Sequence, residues 1–206
     1  PGDADLITVK AIKVLKTANV ILYDALVNKE LLDYINPNAE LIFVGKRKGC
    51  YRYEQGQINE LIIQRANLKG HVVRLKGGDP FIFGRGAEEM EYAAKFGLEV
   101  AIIPGISSSM AVAASQNIPV TKRGISESFW VVTGTTTAGE LSRDLALAAQ
   151  STATVVVLMG TKKLNEIVQT YRNAGRENLP VAIIESGTTR EEKITAGFIY
   201  DIAQKA

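Results

Sequence analysis

The sequence is poor in the residues that build metal and redox centres. Its 206 residues include one Cys and one His. One Cys excludes an internal disulfide, so Cys50 is compatible with a reducing compartment. One Cys and one His together cannot assemble the usual zinc or cluster ligand sets. Long apolar runs are absent too: no stretch approaches the ~20 residues that a spanning helix needs. Nor is there an excess of one charge, because 24 Lys and Arg stand against 22 Asp and Glu, for a net +2. That balance argues against a nucleic-acid-binding stripe or an acidic tail. Chemistry must come from carboxylates, amines, hydroxyls, backbone groups or a bound cofactor.

What the chain does have is the composition of an ordinary globular protein, 46% apolar and 22% charged, and enough length for a sizeable core. Apolar spacing predicts a helix over residues 5–17, with Leu6, Val9, Ile12, Val14 and Leu15 on one face. Short strands follow at 20–23 and 41–44, a helix at 55–67 stopped by Gly70, a strand at 71–75, a helix at 87–95 and a strand at 98–103. After residues 104–109 a small-residue helix (110–115) leads to strands at 129–132, 153–158 and 181–185. These alternate with helices around 141–149 and 164–174, and 193–197 reads as a further strand. Alternating strands and helices imply crossover connections and a mainly parallel sheet. The expected fold class is therefore α/β in two domains, residues 1–105 and 106–206. Pro1-Gly2-Asp3 reads as the remains of a glycine-rich turn, so a first strand is expected to be missing; the end of the second domain is open to the same reading.

The string RLKGGDPFIFGRGAEE, starting at Arg74, places glycines directly after a strand. In parallel sheets ligands sit at the carboxyl ends of strands, and glycine lets backbone amides approach them. Asp79 is suited to a ribose hydroxyl or an amino group, although Gly-Asp-Pro is also ordinary turn punctuation. The string is neither the dinucleotide fingerprint nor the phosphate-binding loop, whose Lys-Ser/Thr ending is absent. Other strand ends carry small or polar residues as well: Asp24, Gly45-Lys46-Arg47-Lys48, Ser107-Ser108, Met159-Gly160 and Ser186-Gly187-Thr188. Four of the seven residues from 46 to 52 are basic, and Lys122-Arg123 forms a second cluster. Such runs are solvated faces or sites for anions. His71 reads as structural, and Phe129 and Trp130 read as core.

Taken with PGDADLIT, VILYDALV, VGKRKG, IPGISSS, IPVTKR, VVLMG and AIIESGTT, in that order along nearly the whole chain, the long string resembles the tetrapyrrole methylase family. The resemblance implies a mainly parallel N-terminal sheet, a mixed C-terminal sheet and S-adenosylmethionine between the two domains, leaving as S-adenosylhomocysteine, with no metal. It implies a cytoplasmic homodimer, without nucleic acid or membrane, that methylates two pyrrole carbons of uroporphyrinogen III to give precorrin-2, on the route to sirohaem or cobalamin. Cofactor contacts carried over by motif fall on Pro1, Gly77, Gly78, Asp79, Ile82, Ser107, Ser108, Met159 and Gly187. Asp24 falls at the proton acceptor and Lys46 at the proton donor. The basic clusters, through Lys46, Arg47, Arg52 and Arg123, suit the carboxylates of the substrate. The chain departs from the family pattern at Lys122, usually His, and at Ser107-Ser108, usually Thr-Ala. Another enzyme of the fold (a precorrin methylase, diphthine synthase or ribosomal RNA methylase) and a non-catalytic nucleotide-binding module are the alternatives.

Overall fold

A computed structural model describes residues 1–45 and 53–206. The chain divides into two compact units, Pro1–Ser107 and Ser108–Ala206.

The first unit is built on a run of four apolar residues. Strand β1 (Val20–Tyr23) lies between β2 (Glu40–Phe43) and β3 (Val72–Leu75), all parallel, with Val20 opposite both Glu40 and Val72. A central parallel strand is covered on both faces, which is why VILY is continuously apolar rather than alternating. Ile21 packs into one cluster with Leu15, Val27 and Leu75, while Val20 and Leu22 pack into another with Val44 and Ile58. Tyr23 and Phe43 close the far end edge to face, their centroids 5.5 Å apart.

Around this sheet run α1 (Val9–Leu15), α2 (Gln55–Lys69) and α3 (Gly86–Lys95). Helix α1 starts later than its periodicity predicts. Residues Ala4–Leu6 form a 3-10 turn, and the Thr8 hydroxyl then caps α1 by accepting from the Ala11 N–H at 3.2 Å. The cap resets the helical phase, so Leu15 is buried while Val9 points to solvent. Helix α2 opens with a capping box between Glu54 and Gln57 and stops at Gly70, whose φ is +85°. A 3-10 segment at Lys29–Tyr34 has no clear periodic signal.

Residues 98–103 do not form a strand. A cavity of about 630 Å³ lies within this unit, lined on one side by Val73 and Leu75 of β3 and on another by residues 98–106. A strand is defined by its pairing, and with the cavity alongside β3 this segment has no ladder to join. His71 is structural, as expected: its Nδ1 donates to the Thr17 carbonyl at 3.1 Å, tying the start of β3 to the end of α1.

The second unit contains α4 (Ser108–Ser115), β4 (Phe129–Thr133), α5 (Asp144–Gln150), β5 (Thr154–Leu158), α6 (Leu164–Asn173), β6 (Pro180–Glu185), β7 (Lys193–Phe198) and a final short α7 (Ile202–Lys205). Strands β4 and β5 pair in parallel and β6 and β7 antiparallel, so both strand orientations occur in this half. Its core gathers Val132, Leu145, Ile167, Tyr171 and Ile202. Trp130, expected in the core, is 38% exposed, because this cluster takes Val132 from β4 and does not extend back along the strand to Trp130. Burial pushes the Tyr171 hydroxyl up to about 12.

Leu145 has no exposed surface. Truncation of Leu145 to Ala is expected to cost about 2–5 kcal/mol, measured by chemical denaturation. A loss below about 1 kcal/mol would contradict this packing.

Candidate functional site

The loop after β3 is held by one carboxylate. Oδ1 of Asp79 accepts from the Phe81 N–H at 2.8 Å, and its Oδ2 accepts from the Gly105 N–H at 3.0 Å. Asp79 thus fixes its own turn and joins it to the segment before α4. The two stretches meet backbone to backbone: a Cβ at Gly105 would lie 2.3 Å from the Gly78 carbonyl oxygen, and Gly78 itself has φ +76°. Gly78 therefore answers the need for a left-handed turn, and Gly105 the need for close approach of main chain. Near Gly78 lie Pro1 and Ser107, and Pro1, Gly77 and Gly78 all line the cavity. Ile82, in the same loop, is 42% exposed.

Backbone strain marks the same places. Among the described residues, six other than glycine have positive φ: Phe83, Arg85, Asn117, Met159, Ser186 and Thr188. Five of them sit in loops singled out by the sequence, and conformations of this kind persist where surroundings enforce them, often at ligand sites. In the second unit Met159 directly follows β5, is 56% exposed and has φ +58°. Its carbonyl accepts from the Thr135 hydroxyl at 3.1 Å. Ser186 and Thr188 flank Gly187, where a Cβ would meet Val112 of α4 at 2.5 Å. Helix α4 begins at Ser108 and also packs against β5. Ser108 thus opens the helix against which Gly187 lies, and Met159 follows a strand that the same helix contacts.

Asp24 directly follows β1. Its Oδ1 accepts from the Leu26 N–H at 3.0 Å, a local turn, and its Oδ2 accepts from Nη2 of Arg74 at 3.0 Å. Arg74 also meets Glu89, which pairs with Lys76 at 2.9 Å. Arg74, Lys76 and Glu89 are not singled out by sequence reasoning. Burial first, and then the neighbouring Arg74, push the Lys76 amine below its usual value, while Glu89 works the other way. Arg123 is exposed, in a turn closed by the bridge between Lys122 and Ser126. Lys46, Arg47 and Arg52 lie outside the described residues.

The donor set suits an adenosyl sulfonium better than a polyphosphate. In the β3 loop both cations are committed to carboxylates, Lys76 to Glu89 and Arg85 to Glu88. What else is exposed there is main chain and apolar side chain, and the one exposed cation, Arg85, is paired with Glu88. Among the described residues no group of three or more His, Cys, Asp or Glu is placed to hold a metal ion. No helix among them is long and apolar enough to cross a membrane.

Two α/β units whose parallel strands end in glycine-rich, strained loops define a ligand-binding α/β protein of the type that places its site at strand termini. Residues 1–203 match the tetrapyrrole (corrin/porphyrin) methylases, and the chain belongs to that family. The uroporphyrinogen-III C-methyltransferase of Methanocaldococcus jannaschii is 44% identical, aligned over 100% of this chain and 86% of its own length. A sirohaem synthase of Aeromonas hydrophila is 38% identical over all of this chain but only 45% of its own length. Among solved structures, the uroporphyrin-III C-methyl transferase of Thermus thermophilus, complexed with S-adenosylhomocysteine, superposes with a TM-score of 0.84. That structure is 34% identical, and the match covers 99% of this chain and 87% of the other.

The Lys76 shift has a consequence for stability. Its amine binds a proton less readily in the folded chain than in the unfolded one, so stability rises with pH in the window just below 10.5. Chemical denaturation across that window should show the wild type gaining on Lys76→Met as the pH rises. A difference that stays constant would contradict the shift.

Proposed function

We propose that the chain is an S-adenosylmethionine-dependent C-methyltransferase that converts uroporphyrinogen III to precorrin-2. The single observation that carries this reading is the match over the whole chain to a uroporphyrinogen-III C-methyltransferase at 44% identity. The phosphate-poor, backbone-lined loops fit it. When bound, S-adenosylmethionine supplies an electrophilic methyl carbon on its sulfonium, and the nucleophile is an electron-rich pyrrole carbon. The protein's main task is then to hold donor and acceptor in line.

In the first unit Pro1, Gly77, Gly78, Asp79, Ile82 and Ser107 are the proposed cofactor contacts; in the second they are Ser108, Met159 and Gly187. Each carboxylate oxygen of Asp79 keeps a lone pair beyond its internal bond, so its turn role and a ligand contact are compatible. Once methylated, the pyrrole ring is cationic and must lose a proton. Asp24 is the proposed acceptor or charge stabiliser, and Lys46 the proposed donor. Arg47, Arg52 and Arg123 are proposed to meet the substrate's carboxylates, for which guanidinium is well shaped. The family resemblance supports a homodimer in the cytoplasm, with neither nucleic acid nor membrane as partner.

Incubation with methyl-labelled S-adenosylmethionine and uroporphyrinogen III should transfer two methyl groups and yield the spectrum of precorrin-2 or of its oxidised product. Label transfer to a later precorrin but not to uroporphyrinogen III would reassign the substrate within the family. No transfer to any tetrapyrrole would overturn the reading.

A further inference from the structure

Among the described residues of the first unit, a largely buried charge cluster is centred on Arg74. We propose that Arg74 is a positioning residue for Asp24, aiming its carboxylate from the end of β1 toward the reacting pyrrole. The proposal rests on the reading above that Asp24 takes part in methyl transfer.

Arg74 stands on β3 in register with Leu22 of β1, so its side chain is alongside the residue that ends two places later in Asp24. Its guanidinium is committed in three directions: Nη2 to Asp24 at 3.0 Å, Nε to Glu89 at 3.3 Å and Nη1 to the carbonyl of Leu75 at 2.8 Å. Glu89 is steadied in turn by Lys76 at 2.9 Å and by the side-chain amide of Gln55 at 3.1 Å. Side-chain exposure is 14% at Arg74, 21% at Asp24, 8% at Glu89 and 10% at Lys76. With the Leu26 N–H on its other oxygen, Asp24 is fixed from two sides.

Stability is a poor explanation for this arrangement, because desolvation offsets most of what a buried ion pair gains and apolar packing serves as well. Geometry is the better one. A planar guanidinium with donors on three edges can hold two carboxylates and a carbonyl at once, which a lysine ammonium on its flexible stem cannot reproduce. The other cation facing the cluster, Lys76, is turned to Glu89 and leaves Asp24 to Arg74.

The test is steady-state kinetics with S-adenosylmethionine and uroporphyrinogen III on the wild type, Arg74→Lys, Asp24→Asn and the double variant. Affinity for S-adenosylhomocysteine and Tm are measured on each. Arg74→Lys should lower kcat on the order of 10²-fold, as expected for a misplaced catalytic group, with KM and S-adenosylhomocysteine affinity near wild type. In the Asp24→Asn background the same change should have little further effect, since residues acting as a unit are not additive. An equal loss in both backgrounds, or an unchanged kcat for Arg74→Lys, overturns the proposal. Full kcat in Asp24→Asn alone overturns the underlying reading together with it, and the single variant reveals that case. If Arg74→Lys does not fold, Glu89→Gln loosens the far anchor of the guanidinium instead. A kcat loss confined to the Asp24 background supports the proposal, and an equal loss in both backgrounds overturns it.

Discussion

The contact on which the first unit's site depends is one of main chain against main chain. The loop after β3 and the segment before α4 approach so closely at Gly78 and Gly105 that no side chain fits between them, and the Asp79 carboxylate bonds to both. The contact leaves no room for a Cβ at Gly105, so the two stretches meet through main chain alone. It fixes the height and direction of the backbone groups that the loop offers. Pro1 and Ser107 lie beside Gly78.

Charge is handled in a complementary way. The cations nearest the β3 loop are neutralised locally, Lys76 and Arg74 by Glu89 and Asp24, and Arg85 by Glu88. A loop emptied of free positive charge is suited to a ligand that carries its own, as a sulfonium does. Of the basic residues named by the sequence for the substrate's carboxylates, Arg123 is the one among the described residues, and it is exposed.

Much of the fold was legible because its signals are local. The run VILY announced a strand, Gly70 ended α2, and alternating elements implied the parallel sheet. Elements that depend on distant partners were not. Residues 98–103 have strand composition but no ladder, since strand identity belongs to a pair rather than to a segment. The Thr8 cap shifted α1 by displacing the phase that periodicity alone had set. Sequence pattern also singled out the loops at Gly77, Met159 and Gly187. It did not reveal the left-handed backbone at Met159, Ser186 and Thr188, residue types that rarely adopt it. Arg74 was equally hidden: its partners Asp24 and Glu89 lie 50 and 15 residues away along the chain, and only the fold brings the three together.

The central claim is that a rigid backbone cradle, set by the approach of Gly78 to Gly105, receives the methyl donor. Calorimetric titration of S-adenosylhomocysteine into the wild type and into Gly105→Ala, each checked for a cooperative Tm, tests it most directly. The wild type should bind S-adenosylhomocysteine in preference to NAD or ATP, and the folded variant should lose at least about tenfold in affinity, or about 1.4 kcal/mol. Unchanged affinity in a folded Gly105→Ala protein would contradict the account.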